Sequence, residues 1–371
     1  MRVRVLHVIG SLETGGAETA LVRVCQSTHG LEVDHKVLVL GRVGPLLSDL
    51  QAIGITVLVP RIRPFDLARL FHLAADWSPQ VVHGWMYHGS LAALALRTTL
   101  FTRASLAWNI RCGLDTPGQF RRSTRSLIQL LAALSRIPDM TVYNAISARE
   151  AHGTIGFARG AAEVVPNGFD LESFRPDPMA RRELRSELAL QEGMQLLGFI
   201  ARFHQEKNPG LFLRALSRLP PQVHGLMVGS GMTLENLSLA DQIRELGLRD
   251  RIHLLGERRD MPRIMAGLDV AVSASWNEGF SNALGEAQAC GVPCVATAVG
   301  DSPVLIGGIG RLVAPGEGKP LAEAILELLS LSQEQRLVLG RRCRQRMLDC
   351  YSLPLVARRY SDLYRRLADR L

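Results

Sequence analysis

Residues 268–293 read LDVAVSASWNEGFSNALGEAQACGVP, and this stretch decides the fold. Its apolar first part, Leu268 to Ala274, predicts a strand. Ala283 to Ala289 predicts a helix, which Cys290-Gly291-Val292-Pro293 ends. A strand that passes through a short polar turn into a helix is the repeating unit of a parallel α/β sheet. Glu278 then stands in the strand-to-helix turn and Glu286 one turn into the helix, with seven residues between them. Asn282 and Glu286 are four apart and share a helix face. An exposed helix start offers unpaired N–H groups to a phosphate. A carboxylate one turn in accepts two hydrogen bonds from vicinal hydroxyls, as on a ribose. That is the layout of a nucleotide-sugar site.

The same alternation runs outward from this stretch in both directions. Val3 to Ile9 reads as a strand, Ser11 to Gly16 as a loop and Ala17 to Cys25 as a helix. Short apolar strands follow at Lys36 to Leu40, Thr56 to Val59, Val81 to His83 and Leu106 to Ile110, with helical stretches between them. Val164-Val165-Pro166-Asn167-Gly168-Phe169-Asp170 is a strand ending in a turn, and Phe174-Arg175-Pro176-Asp177-Pro178 breaks the pattern. A second series then begins, with strands at Gln195 to Ala201, Val223 to Val228, Ile252 to Leu255, Leu268 to Ala274 and Cys294 to Ala298. The expectation is two Rossmann-like, doubly wound α/β domains, 1–172 and 173–354, facing across a cleft at the carboxyl ends of their strands. A basic amphipathic helix, 355–371, crosses back to the first domain.

Size and composition agree with that reading. A chain of 371 residues is too long for one ordinary α/β core. It is 47% hydrophobic and 21% charged, with no low-complexity run, which is a globular composition. No apolar stretch reaches the eighteen residues of a membrane span, and the alternating Met1 to Gly10 reads as a strand, not a signal peptide. Six scattered cysteines lack metal spacing and suit a reducing, cytoplasmic setting, with Cys290 and Cys294 as buried thiols. The net charge of +8 favours anionic partners. With 5% aromatics and no nucleic-acid signature, those partners are phosphorylated substrates or the anionic inner face of a membrane, not nucleic acid.

Four further clusters bear on chemistry. Gly15-Gly16, between a strand and a helix, lets backbone approach an anionic ligand, or is a plain tight turn; it is not the glycine fingerprint of a dehydrogenase. Arg202 and Lys207, just past the first strand of the second series, suit a diphosphate leaving group, or form a solvated basic loop with Glu206. His83, Trp85, Tyr87 and His88 end a strand as an aromatic and polar surface for an acceptor, or pack a cleft wall. Arg111 ends another strand. The basic run Arg121 to Arg125 before Leu127 to Leu134 suits an anionic bilayer or an amphipathic surface helix. Gly300-Asp301-Ser302-Pro303 reads as a turn at the rim of the site, with Asp301 capping a helix.

Taken in order, these residues resemble the retaining GT-B glycosyltransferases of family 4, the glycosyl transferases group 1. The likeness rests on Gly15-Gly16, Val165-Pro166-Asn167-Gly168-Phe169-Asp170, the Arg202 and Lys207 pair, and the Glu278 to Glu286 signature. Trp85-Met86-Tyr87-His88 and Trp108-Asn109-Ile110-Arg111 are similar to a bacterial subgroup of surface and exopolysaccharide assembly. The resemblance implies that Glu286 holds ribose hydroxyls and Glu278 those of the donor sugar. Gly279, Phe280, Ser281 and Asn282 line the same donor site, Arg202 and Lys207 neutralise the diphosphate, and Gly16 approaches it from the first domain. Glu257 lies where the base is recognised, and His83, Tyr87, His88 and Arg111 face a saccharide or lipid-linked acceptor. Ala201 replaces the family's usual glycine, and Cys112 stands where the subgroup often has histidine.

The reaction this implies is transfer of a sugar from a nucleotide-diphosphate donor to a hydroxyl, with Arg202, Lys207 and Glu278 as the catalytic set. No Asp-x-Asp motif stands out, so neither a metal nor any other cofactor is expected. Two alternatives stay open: a sugar-nucleotide epimerase of the same fold, and a non-catalytic nucleotide-sugar-binding protein.

Overall fold

The computed structural model describes residues 2–13, 15–29, 33–59, 76–114 and 120–370. Two compact units divide the chain: Met1–Gly168 with Leu353–Leu371, and Phe169–Ser352.

In the first unit, β1 (Val3–Ile9), β2 (Val33–Val39), β3 (Thr56–Leu58), β4 (Val81–Trp85), β5 (Ser105–Ile110), β6 (Met140–Tyr143) and β7 (Ala162–Val164) form one sheet in the order β3-β2-β1-β4-β5-β6-β7. Every pairing is parallel. Helices α1 (Gly16–Thr28), α2 (Leu46–Ala52), α3 (Met86–Thr99), α4 (Arg122–Leu134) and α5 (Ile146–Thr154) connect them. β1, β4 and β5 are buried along almost their whole length, as strands covered on both faces must be. The strand order reverses between β1 and β4, which makes their carboxyl ends the switch point of this sheet.

The second unit holds β8 (Gln195–Ile200), β9 (Val223–Val228), β10 (Ile252–Leu254), β11 (Val270–Ser273), β12 (Cys294–Thr297) and β13 (Arg311–Val313), ordered β10-β9-β8-β11-β12-β13 and again all parallel. Its helices are α6 (Pro178–Glu187), α7 (Pro209–Leu216), α8 (Leu237–Glu245), α9 (Met261–Gly267), α10 (Asn282–Ala289), α11 (Ser302–Ile306), α12 (Gly318–Leu329) and α13 (Gln333–Tyr351). The switch point lies between β8 and β11. Leu197, Phe199, Phe212, Met227, Val270, Val295 and Ile325 belong to its core. Asp269 clamps α6 to this sheet: it is 8% exposed and accepts from Arg181 (2.5 Å), Arg185 (2.7 Å) and the Leu196 N–H (2.8 Å).

The last helix, α14 (Leu353–Ala368), belongs to the first unit. Val356, Tyr360, Leu363, Tyr364 and Leu367 make an apolar stripe at helical spacing and join the core of β1, β2 and β4, while Arg358, Arg359, Arg365 and Arg366 face outward. Burying each large apolar side chain of that stripe contributes about 1.5–3 kcal/mol. The chain enters the second unit at Phe169 and leaves it at Ser352. There the Phe169 N–H donates to Tyr351 O at 2.9 Å.

Two strands escape the sequence pattern, β6 and β13, which are only 4 and 3 residues long. β2 begins at Val33, ahead of the expected Lys36, because His35 turns inward at 6% exposure and continues the buried face.

Candidate functional site

The two loops at the switch point of the second sheet are built by close approach. Gly229, at φ +141°, passes so near the end of β8 that a Cβ there would lie 2.1 Å from Ala201 O. The Phe203 N–H donates to Ser230 O at 2.7 Å. Arg202 stays exposed between these anchors and, among the described residues, forms no hydrogen bond or ion pair. A single helical turn, Gln205–Lys207, then runs into Asn208, a non-glycine residue at φ +53° that caps α7 by accepting from the Leu211 N–H. This turn brings Lys207 to the loop after β11, where Nζ donates to Glu278 Oε1 at 2.6 Å. The pair is partly enclosed, with the lysine side chain 25% exposed and the carboxylate 10%, so the contact is a charge-assisted bond in a region of reduced dielectric.

Glu278 is fixed from three sides. Ser275 Oγ donates to the same Oε1 at 2.9 Å. The Trp276 N–H donates to Glu206 O (2.7 Å), and the Asp301 N–H to Gly279 O (3.0 Å). Gly300 sits at φ +54°, and a Cβ on it would come within 1.9 Å of Glu278 O, so only glycine fits. Asp301 does stand before α11, but its side chain makes no capping bond; its backbone holds the Glu278 loop instead.

Glu286 and Asn282 lie on α10 as expected, both half-buried. The start of α10 is not the exposed terminus that the sequence suggested. Phe280 and Ser281 are 7% and 5% exposed, and the Phe280 ring packs against Phe169 (6.2 Å) and Tyr351 (5.5 Å). Glu257 is exposed after Gly256 at the end of β10, with β9 between it and β8. Lys207 and Glu278 are therefore in direct contact, whereas Arg202, Glu257 and Glu286 share only the carboxyl edge of the same sheet.

In the first unit, Gly16 opens α1 at the switch point. A Cβ on Gly16 would meet nothing within 4 Å, whereas one on Gly15 would strike Glu18 Oε2 at 2.3 Å. The clash at Gly15 is with the free end of the Glu18 side chain, which can swing aside, so the fold demands glycine at neither position. Met86, the first residue of α3 directly after β4, is held at φ +58°, a left-handed conformation that costs a non-glycine residue on the order of 1–3 kcal/mol.

The expected acceptor surface at 83–88 is mostly interior. His83 and Trp85 have no exposed surface and Tyr87 is 3% exposed; Met86 is half-buried and His88 is exposed. His83 is a core residue: Tyr364 OH of α14 lies 3.0 Å from its Nδ1, and its buried ring offers an acceptor no exposed surface. Tyr87 OH lies 2.8 Å from His152 Nε2 and 3.1 Å from Cys112 Sγ. His152 Nδ1 lies 2.7 Å from the Ala148 carbonyl, which makes it the protonated nitrogen, so Tyr87 donates to Nε2 and receives from the thiol. Arg111 is half-buried and bound by Asn109, Tyr360 and Asn167, all neutral acceptors.

Sequence reading missed a buried histidine layer. Trp85 Nε1–H donates to His7 Nδ1 (3.1 Å), which leaves the proton of His7 on Nε2, facing His35 Nδ1 at 3.0 Å. His35 Nε2–H then faces Thr28 Oγ1 at 2.8 Å, and Thr28 donates to Val24 O. Every proton in this chain is assigned by its neighbour. Burial first, then neighbouring charge, drives these imidazoles down: His35 to about 3 beside His29, His83 to about 3 beside Arg111, and His7 well below its ordinary value beside His35 and His83. Burial likewise takes His152 to about 4, against the opposing Ala148 bond.

Metal-binding potential is limited in the same way. Among the described residues, His7, Cys25 and His35 bring ligand atoms within 4.8 Å of one another. An ion on His7 Nε2 would force the proton to Nδ1, against the Trp85 N–H. The donor set therefore fits the hydrogen-bonded chain and not a metal. All six cysteines are free, and burial pushes Cys290 up to about 12.

Residues 194–331 match the family model described as glycosyl transferases group 1. That segment runs from β8 through α12 and contains Arg202, Lys207, Glu257, Glu278 and Glu286. Over 174 residues the chain is 37% identical to D-inositol 3-phosphate glycosyltransferase of Mycobacterium marinum, a match covering 45% of this chain and 37% of that protein. The protein of that name from Mycobacterium tuberculosis is 36% identical over 178 residues, covering 46% and 36%. The chain therefore spans well under half the length of these curated relatives. Among solved structures, HepE of Anabaena in complex with UDP and glucose superposes with a TM-score of 0.85 at 22% identity, over 98% of this chain and 99% of that one. Sucrose-phosphate synthase of Thermosynechococcus elongatus gives 0.80 at 19%, over 100% of both chains. The fold is of the GT-B class.

Proposed function

We propose that the chain is a retaining, metal-independent glycosyltransferase that moves a sugar from a nucleotide-diphosphate donor to a hydroxyl acceptor. The observation that carries this is the Lys207–Glu278 contact at the switch point of the second sheet, inside the segment that matches the group 1 family model. Open α/β sheets bind ligands at such points. Lys207 gives one of its three N–H groups to Glu278 and keeps two for diphosphate oxygens. Arg202, exposed at the same strand end, adds a second cation, and Glu286 with Asn282 meets the ribose. Gly279 and Phe280 offer backbone N–H groups, and Glu257 lies beside the base. Gly16, where the fold makes no demand for glycine, is kept small for the ligand.

In the reaction, the bond from the anomeric carbon to the leaving phosphate oxygen breaks. The acceptor oxygen bonds on the same face, and its proton passes to the departing phosphate. Lys207 and Arg202 stabilise the charge that develops on the diphosphate, a role otherwise filled by a metal. Complete loss of activity in EDTA would overturn metal independence.

Tyr87, His88 and Arg111 remain the acceptor-side candidates; among the described residues Arg111 bonds neutral partners, and it suits an anionic group such as an acceptor phosphate. A lipid-linked saccharide of polysaccharide assembly fits this chemistry. Peripheral contact with the cytoplasmic face of an anionic membrane fits too, because Arg121, Arg122 and Arg125 are exposed beside Leu130, 47% exposed. Among the described residues no helix is long and apolar enough to cross a membrane. The neighbour crystallised with UDP and glucose makes UDP the first nucleotide to try.

Calorimetric titration with UDP, GDP, ADP and dTDP tests the site, on the wild type and on Glu286→Ala. One nucleotide is expected to bind the wild type and to weaken several-fold in the variant; no binding by any of the four overturns the reading.

A further inference from the structure

Two enclosed hydroxyls stand behind the Lys207–Glu278 pair, outside the set of residues read from sequence. Thr297, at the end of β12 and without exposed surface, donates its Oγ1 proton to Ser275 O at 2.7 Å. Ser275, 2% exposed, donates its own hydroxyl to Glu278 Oε1 at 2.9 Å. Lys207 Nζ reaches the same oxygen at 2.6 Å. The terminal torsion of a glutamate is broad and nearly two-fold, so a carboxylate without partners exchanges its two oxygens readily. Two donors on one oxygen remove that exchange, and both donors are themselves fixed. Ser275 is held through its carbonyl from the neighbouring strand, and Lys207 by the turn that Asn208 closes.

A simpler explanation is that a buried hydroxyl takes the nearest acceptor. Other buried serines show what that looks like. Ser90 donates to Gly84 O, Ser135 to Ala132 O and Ser105 to Leu367 O, all backbone carbonyls. Ser275 bonds a charged side chain instead, and its carbonyl is secured by a separate buried hydroxyl on another strand.

We propose that Ser275 and Thr297 are positioning residues of the donor site. They commit Glu278 Oε1 to the protein and present Oε2 alone to a single hydroxyl of the donor sugar. This rests on the glycosyl-transfer reading above. It narrows that reading, since Glu278 then recognises one hydroxyl and not a vicinal pair.

The test is calorimetry with UDP, GDP, ADP and dTDP, followed by the glucose conjugate of the diphosphate that binds. The proteins are the wild type, Ser275→Ala, Ser275→Thr and Thr297→Val. Loss of one hydrogen bond to a charged group corresponds to roughly ten- to hundredfold in affinity. Ser275→Ala should retain binding of the bare diphosphate and shift the affinity ratio against the sugar conjugate by about that factor. Ser275→Thr, which retains a hydroxyl, should restore the ratio, and the near-isosteric Thr297→Val should shift it the same way by less. Equal weakening of diphosphate and conjugate in Ser275→Ala indicates a merely structural role and overturns the proposal, as does an unchanged ratio. If Ser275→Ala does not fold, Thr297→Val carries the same comparison, and an unchanged ratio there is equally fatal. A wild type that binds no diphosphate removes the glycosyl-transfer reading itself, and this inference with it. That result is distinct from a wild type that binds and a variant that matches it.

Discussion

Acid should destabilise this chain through its buried histidines, and His83→Phe should blunt the effect. His7, His35, His83 and His152 are all held below the ordinary imidazole value of 6.5, with His35 and His83 near 3 and His152 near 4. A depressed folded-state value means that the unfolded chain binds protons the folded chain refuses. The stabilisation is therefore complete above about pH 6.5 and is lost as pH falls below it. Each such group forfeits up to about 1.36 kcal/mol per pH unit in that window, or on the order of 2 kcal/mol between pH 7 and pH 5. Four groups acting together approach the whole stability of an ordinary domain, about 5–15 kcal/mol. The geometry explains why these histidines cannot relax: a proton on His7 Nδ1 would face the Trp85 Nε1–H at 3.1 Å. His83 is the member to remove, because its Nε2 has no partner among the described residues and its ring already packs among Trp85, Tyr360 and Tyr364. The substitution leaves the Tyr364 hydroxyl unpaired, which costs about 1–3 kcal/mol at pH 7. Urea unfolding followed by tryptophan fluorescence at pH 7.5, 6.5, 5.5 and 5 should show the variant losing about 2 kcal/mol less than wild type over that range. Parallel pH profiles for the two proteins would refute the reasoning.

Three other outcomes follow from the same geometry. Lys207→Ala should lower turnover by about 10²–10³, the usual result of losing one electrostatic contact to a leaving group; a steady-state rate near wild type removes it from the site. Asp269→Ala strands Arg185 and the Leu196 N–H and should cost about 3–5 kcal/mol in denaturant unfolding, with nucleotide affinity unchanged where the protein remains folded. Of the six free thiols, only Cys112 and Cys350 are not buried, so a chromogenic disulfide reagent should titrate two thiols fast in the native protein and the rest only on unfolding.

The strands and turns of the fold were legible because parallel strands between helices are continuous apolar runs. Val81 to His83, Val223 to Val228 and Leu268 to Ala274 announce themselves whichever face is considered. β6 and β13 were not legible: 4 and 3 residues give no periodicity, and their pairing partners alone define them as strands. At the site, charge made Lys207 and Glu278 conspicuous, because a carboxylate in a strand-to-helix turn and a cation past another strand both need an explanation. Ser275 and Thr297 gave no such signal. A small hydroxyl reads alike in a turn, a strand end or a core, and only the parallel pairing of β11 with β12 brings these two together. Gly300 was visible as a turn glycine, but the reason it must be glycine, the carbonyl of Glu278 against its absent Cβ, exists only in three dimensions.

His83 shows where reading a polar side chain as surface fails. A histidine is expensive to bury only while its nitrogens lack partners and its charge is retained. Here Tyr364, more than two hundred residues downstream, supplies one partner, and burial itself removes the charge. His83 and Trp85 of β4, which suggested an exposed ligand surface, join His7 and His35 of β1 and β2 and Tyr364 of α14 in buried contacts, so their polarity is internal. On the second sheet the opposite holds. Lys207 and Glu278 pair with each other and keep their remaining N–H groups and oxygen at the open carboxyl edge, still partly exposed. What separates the two clusters is not residue type but burial: His7, His83 and Trp85 are enclosed, whereas Lys207 and Glu278 keep contact with solvent.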